Sequence, residues 1–119
     1  MTSADRDIQD LTDQLGLTFY KQDWGICNAD ARRVAEFIRI CRTRKLTRTQ
    51  QYEMGELVLA SMNEALLDRI EDEGLVSEFQ DFLTRDLDGL PEEIRYWASL
   101  SDVEEFPLSI LLGKVASIP

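Results

Sequence analysis

The sequence predicts an all-α domain: a compact bundle of five or six helices around a long central helix, with at most a minor strand near residues 17–20. Three observations carry this. Apolar residues recur at helical spacing, as at Val34, Phe37, Ile38 and Cys41, which fall at i, i+3, i+4 and i+7. Strand signals are poor, because no long period-two run is flanked by an Asn-Gly or Asp-Gly turn. Helix-start chemistry is present before the longest apolar segment, where Thr47 is followed three residues later by Gln50 in the pattern of a capping box.

A first helix is expected over about residues 5–14, with Ile8, Leu11 and Leu15 on one face. Leu17–Tyr20, LTFY, is the best strand candidate, short and rich in β-branched and aromatic residues, but has no obvious strand to pair with. The stretch DWGICNAD, residues 23–30, then places two carboxylates, a thiol, an amide and an indole within eight residues. Its structural interpretation is the start of a second helix over about 29–44, with Asn28 or Asp30 as N-cap. Gly25 would permit the sharp turn, Ile26 would supply an apolar contact, and Trp24 would anchor the segment on the bundle. Cys41 reads as a small core hydrophobe. A catalytic thiol at Cys27 would want a histidine or a strongly basic neighbour at the turn.

The third helix runs from Thr47 to about Asp72. Met54, Leu57, Val58, Ser61, Met62, Ala65, Leu66 and Ile70 cover more than half of its circumference, as expected for the central helix of a bundle. Gly55 inside it calls for close packing, since glycine costs about 1 kcal/mol relative to alanine there. A fourth helix over about 75–87 presents Val76, Phe79, Phe82, Leu83 and Leu87. Pro91 and Pro107 suit the first turns of two short helices, about 91–99 and 107–116. Phe37, Leu57, Val58, Phe79 and Leu83 are the expected core, with Trp97 buried and Tyr96, about 100° away around the helix, partly exposed.

The 119 residues fit a single helical domain, 1–119, that needs no metal or disulfide staple. Apolar residues make up 44% and charged residues 30%, a globular balance. The longest apolar run, Leu57–Ala60, is far too short to span a bilayer, and the acidic start MTSADRDIQDLTDQ lacks the apolar region of a secretory signal. A cytoplasmic location with free thiols at Cys27 and Cys41, and no membrane partner, is therefore expected.

Net charge is −10, which argues against direct nucleic-acid binding and permits steered encounter with a basic protein. The charge is uneven. Residues 32–48 hold Arg32, Arg33, Arg39, Arg42, Arg44, Lys45 and Arg48 against one acid, Glu36; residues 53–105 hold sixteen acids against Arg69, Arg85 and Arg95. This polarity is either a solvated surface whose two ends attract each other or a partner surface.

The chain contains no histidine, so a Ser-His-Asp or Cys-His arrangement is impossible within it. Two cysteines without histidine make a poor zinc set, no Gly-rich phosphate loop is present, and Asp68, Glu71, Asp72 and Glu73 lack the spacing of a calcium loop. On a continuous helix Asp68, Glu71 and Asp72 would share one face, as a solvated helix end rather than a cation site. No cofactor or metal is expected.

Read in order, DWGICNAD, EFIRIC, MGELVLASMNEALL, IRYWASL and FPLSILL resemble small bacterial immunity proteins, encoded beside the polymorphic or contact-dependent toxins that they neutralise. The similarity spans about residues 20–112 and rests on dispersed helical motifs. It implies a small, acidic, cytosolic, non-enzymatic protein that occupies a toxin's active site or an adjacent surface. Such surfaces diverge to match individual toxins, so no functional residue carries over, and the Arg-rich segment 32–48 departs from a uniformly acidic inhibitor. The expected partner is a cognate toxin, such as a basic nuclease domain, met by Asp68, Glu71, Asp72, Glu78 and Asp81 around Gly74. The alternatives are a helical adaptor or homodimer using an apolar patch around Trp24, Tyr52, Tyr96 or Trp97, and, third, a carboxylate-dependent enzyme.

Overall fold

The long central helix lies where the sequence places it. In the computed structural model, which describes residues 2–85, 97, 105 and 107–109, five helices are present and no strand occurs among the described residues. They are α1 (Ser3–Leu15), α2 (Trp24–Cys27), α3 (Val34–Thr43), α4 (Arg48–Leu67) and α5 (Glu73–Arg85). The protein is an all-α bundle in which α1, α2 and α3 pack on α4, and α5 packs on α3. No helix among the described residues is long and apolar enough to cross a membrane. The helices expected over 91–99 and 107–116 lie outside the described residues, except at Trp97 and Pro107–Ser109; Trp97 and Leu108 are buried in the core.

Helix α4 starts with the capping box seen in the sequence. The Thr47 hydroxyl accepts from the Gln50 N–H at 3.2 Å, and the Gln50 side chain accepts from the Thr47 N–H at 3.0 Å. A second such box, Thr2 with Asp5, starts α1 two residues earlier than expected. The hydrogen bond from Thr2 holds the Asp5 carboxyl below its ordinary pKa. From Met54 to Asn63 every residue of α4 except the half-buried Glu56 is buried, so the helix is enclosed on all sides. It ends at Leu67, five residues short of the expected end, in a Schellman turn: Arg69 N–H donates to Leu66 C=O and Ile70 N–H to Ala65 C=O. Arg69 takes the left-handed conformation there (φ 55°).

The helix expected over 29–44 covers only Val34–Thr43, and a separate short helix lies before that range. Residues 24–27 form the short α2, and the chain then runs irregularly to Val34. Neither Asn28 nor Asp30 caps α3, whose N-cap position is Arg33 with no side-chain cap bond. The Asn28 side chain is engaged elsewhere, and the Asp30 carboxylate accepts from the Arg32 N–H at 3.0 Å, before the helix begins. Asn28 accepts from the Thr18 N–H at 3.0 Å and donates to the Thr18 C=O at 2.8 Å, which gives the expected strand segment 17–20 a side-chain partner in place of a neighbouring strand. The Asp30 N–H donates to the buried Ser61 hydroxyl of α4 at 3.0 Å.

Gly25 does not make the turn; it lies inside α2. A Cβ there would stand 2.7 Å from the Leu57 nitrogen and 3.0 Å from the Glu56 carbonyl carbon, so the two helix backbones meet at this point. Trp24, 2% exposed, anchors α2 as expected, and its indole N–H donates to the Thr12 hydroxyl at 2.9 Å. That hydroxyl in turn donates to the Ile8 C=O at 2.6 Å. Phe37, Leu57, Val58, Phe79 and Leu83 are all buried; Cys41 is half-buried against the core and Cys27 is exposed.

Replacing Thr12 by Val should leave the Trp24 indole N–H buried without its acceptor, at a cost of about 1–3 kcal/mol in urea unfolding. Thr12→Ser, which keeps the hydroxyl, should lose less. Equal losses for the two variants would show that the hydroxyl contributes only volume.

Candidate partner-binding site

The acidic corner is built by the way α4 stops. A helix continuing to residue 72 would have stacked Asp68, Glu71 and Asp72 on one face; the left-handed Arg69 separates them instead. Asp68 is the exposed C-cap of α4. Asp72 precedes α5, where its Oδ1 accepts from the Leu75 N–H at 2.7 Å and so caps that helix. Glu71 is half-buried, and its Oε2 is withdrawn from solvent without a hydrogen-bond partner. Glu78 is half-buried on α5 and Asp81 is exposed one turn further on.

Two adjoining hollows organise these residues. The larger, about 680 Å3, opens between the start of α3 and the start of α5, floored by Ala31, Val34, Ala35 and Leu75 and bordered by Ile70, Asp72 and Glu78. The smaller, about 310 Å3, lies between residues 26–32 and the end of α4, and takes in Ile26, Asp30, Glu64 and Asp68. Arg32 lines both. Ile26 and Ile70 are each 44% exposed and Leu67 is 38% exposed. Of the five acids expected from the sequence, Asp68, Asp72 and Glu78 therefore reach the hollows, whereas Glu71 and Asp81 line neither.

Sequence reasoning missed Glu64, Asp30 and Arg32. The signal for Glu64 was present: it lies four residues before Asp68, so two like charges share the last turn of α4. The negative end of the helix dipole disfavours both, the last turn contains no cation, and the first one follows only at Arg69. The fold therefore accounts for the charge of Asp72, which caps a helix, and does not account for those of Glu64 and Asp68.

Of the basic segment, Arg32 alone lines the hollows of this corner. Residues 44–48 of the segment stand at the opposite end of α4, and the 20 residues of that helix place the two ends about 28 Å apart. That exceeds the Debye length of about 8 Å at physiological ionic strength. Arg33 pairs with Glu36 (Nη2 to Oε2 2.6 Å), donates to the Leu15 C=O at the end of α1, and lies over the Phe37 ring. Arg44 donates to Gln14 of α1 at 2.6 Å. The hydrogen bonds from Arg33, and then the charges of Arg33, Arg39 and Arg44, hold the Glu36 carboxyl below its ordinary pKa.

No group of three or more His, Cys, Asp or Glu side chains that could hold a metal ion occurs among the described residues. No family model matches the chain, and no curated protein or solved structure is significantly similar to it.

Because Asp72 serves α5, its removal should register as stability. Asp72→Ala is expected to cost about 1 kcal/mol and Asp72→Asn, which can still cap, only a few tenths. Equal and negligible effects in thermal unfolding would free Asp72 from that role.

Proposed function

We propose that this chain is a non-enzymatic, immunity-type protein of the cytoplasm that binds and neutralises a bacterial toxin domain by covering its active site or an adjacent surface. The observation that carries this reading is the pair Glu64 and Asp68, held where the dipole of α4 and their mutual repulsion oppose them, beside the exposed Ile26, Leu67 and Ile70. Charges retained against local stability, next to exposed aliphatic side chains, are what a surface selected for a partner contains. A net charge of −10 draws the same class of partner from a distance, a basic protein such as a nuclease domain whose own site is built for phosphate. The sequence resemblance to immunity proteins points the same way.

The adaptor or homodimer alternative rests on a patch of which two residues are buried. Trp24 and Trp97 are in the core, Tyr52 is exposed, and Tyr96 lies outside the described residues.

The test uses the sign of two effects. The tagged chain recovers its partner from the native cell, and that partner, expressed alone in a second host, should arrest growth that the chain restores. Glu64→Gln with Asp68→Asn should raise the thermal stability of the free protein while slowing association and weakening protection. A harmless partner would contradict the immunity reading. A double variant that is more stable and protects as well as the parent would show that these carboxylates are not the contact.

A further inference from the structure

We infer that the hollow between the starts of α3 and α5 receives a basic, amphipathic helical segment of the partner protein, and that Arg32 limits how tightly that segment binds. This rests on the reading of the chain as a partner-binding protein and names the kind of segment its site accepts. The hollow, about 680 Å3, lies within the range of about 300–1,000 Å3 that takes up ligand groups. The side chains of its floor are small and aliphatic, with Val34 buried and Ala31, Ala35 and Leu75 half-buried. Ile70 stands exposed at its mouth, which leaves aliphatic surface in water until an apolar side chain covers it. Asp72 and Glu78 border the opening, so cations on either side of the inserted side chain find carboxylates.

Signs of charge choose among occupants. A second copy of the chain would bring a net charge of −10 against −10, and a polyanion meets the same repulsion. A cationic segment is favoured both by the whole molecule and by the border of the hollow. Apolar side chains three and four residues apart with lysines between them present this combination on a helix.

Arg32 lies where the two hollows meet, its backbone N–H fixed by the Asp30 carboxylate at 3.0 Å and its side chain exposed. It is the one cation lining either hollow among the described residues, and its charge repels an incoming lysine. Removing it therefore strengthens binding.

The experiment titrates the full chain with a labelled peptide of leucine and lysine at helical spacing, about 18 residues or five turns long. Controls are a scrambled peptide of the same composition, an oligolysine of equal length, and the peptide with glutamate in place of lysine. The amphipathic basic peptide should bind about tenfold more tightly than the scrambled one, with backbone amide shifts confined to residues 26–35 and 64–78. Ile70→Ser should weaken it about tenfold and Arg32→Ser should tighten it about threefold at low salt, the latter effect fading as salt is added. Both positions are exposed, and unchanged thermal unfolding confirms each variant is folded.

The inference is overturned if oligolysine or the scrambled peptide binds as tightly, if the glutamate peptide binds, or if the shifts fall on residues 39–48. A mass of the chain alone that doubles, and that the peptide reverses, would place a second copy in the hollow and also overturn it. A chain that neutralises its toxin unaltered by Ile70→Ser and Arg32→Ser leaves the immunity reading standing and removes the hollow. Peptide binding as described, without any toxin neutralised, does the reverse.

Discussion

Backbone lies against backbone where α2 crosses α4, and Gly25 is the residue that allows it. With only hydrogen on its Cα, the short helix settles onto Glu56 and Leu57 closely enough that any larger residue would meet main-chain atoms. A four-residue helix has little stability of its own, because the cost of helix nucleation is spread over too few hydrogen bonds. Its position is therefore a consequence of this contact and of Trp24 beside it. From there the chain is led in two directions. Upstream, the indole reaches Thr12 and fixes α1. Downstream, Asn28 ties back to Thr18, and Asp30 crosses to Ser61, which brings Ala31 and Arg32 opposite Ile70 and Gly74. The hollow exists because α2 sits where it does.

A helix buried on every side faces a different difficulty, since apolar packing alone does not strongly select its rotation. Three buried polar side chains along α4 supply that selection, each tying a different segment. Gln50 donates to the Asp7 C=O of α1 at 2.9 Å. Ser61 accepts from Asp30. Asn63 donates to the Glu105 C=O at 3.2 Å and accepts from the Leu108 N–H at 3.1 Å. Each bond is worth only about 0.5–1.5 kcal/mol net. Leaving any one of these groups buried and unmatched costs more, so rotations of α4 that break all three are strongly disfavoured.

What the sequence made legible was local, and what it hid was tertiary. The start of α4 was readable because Thr47 and Gln50 cap it within one turn. The apolar faces of α3, α4 and α5 were readable because helical periodicity survives any packing arrangement. The late start of α3 was not, because the Asn28 side chain, a good cap in isolation, is claimed by Thr18 ten residues away, and the Asp30 backbone is drawn to Ser61 thirty-one residues away while its carboxylate closes only the local turn at Arg32. Gly25 was assigned to a turn for the same reason: its task is defined by a helix thirty residues further on. At the candidate site all five acids were chosen for their density around Gly74, and charge density alone does not say that Asp68, Asp72 and Glu78 line the hollows while Glu71 and Asp81 do not. A non-glycine residue in the left-handed conformation, Arg69, leaves no local sign that the helix will turn there.

The function proposed for the acidic corner inherits its geometry from the α2–α4 contact, and one substitution examines that contact without touching the corner. Gly25→Ala in an ordinary helix should stabilise, because alanine is favoured over glycine by about 1 kcal/mol. Seated on α4, the added methyl has only main-chain atoms to displace, and the expected outcome of equilibrium urea unfolding is a loss of about 1–3 kcal/mol or more. Gly74→Ala is the comparison, since a Cβ there meets only the Asp72 carboxylate oxygen at 3.3 Å. A Gly25→Ala protein as stable as the parent, or more so, would mean that α2 is free to shift on α4 and that the hollow is not fixed by it.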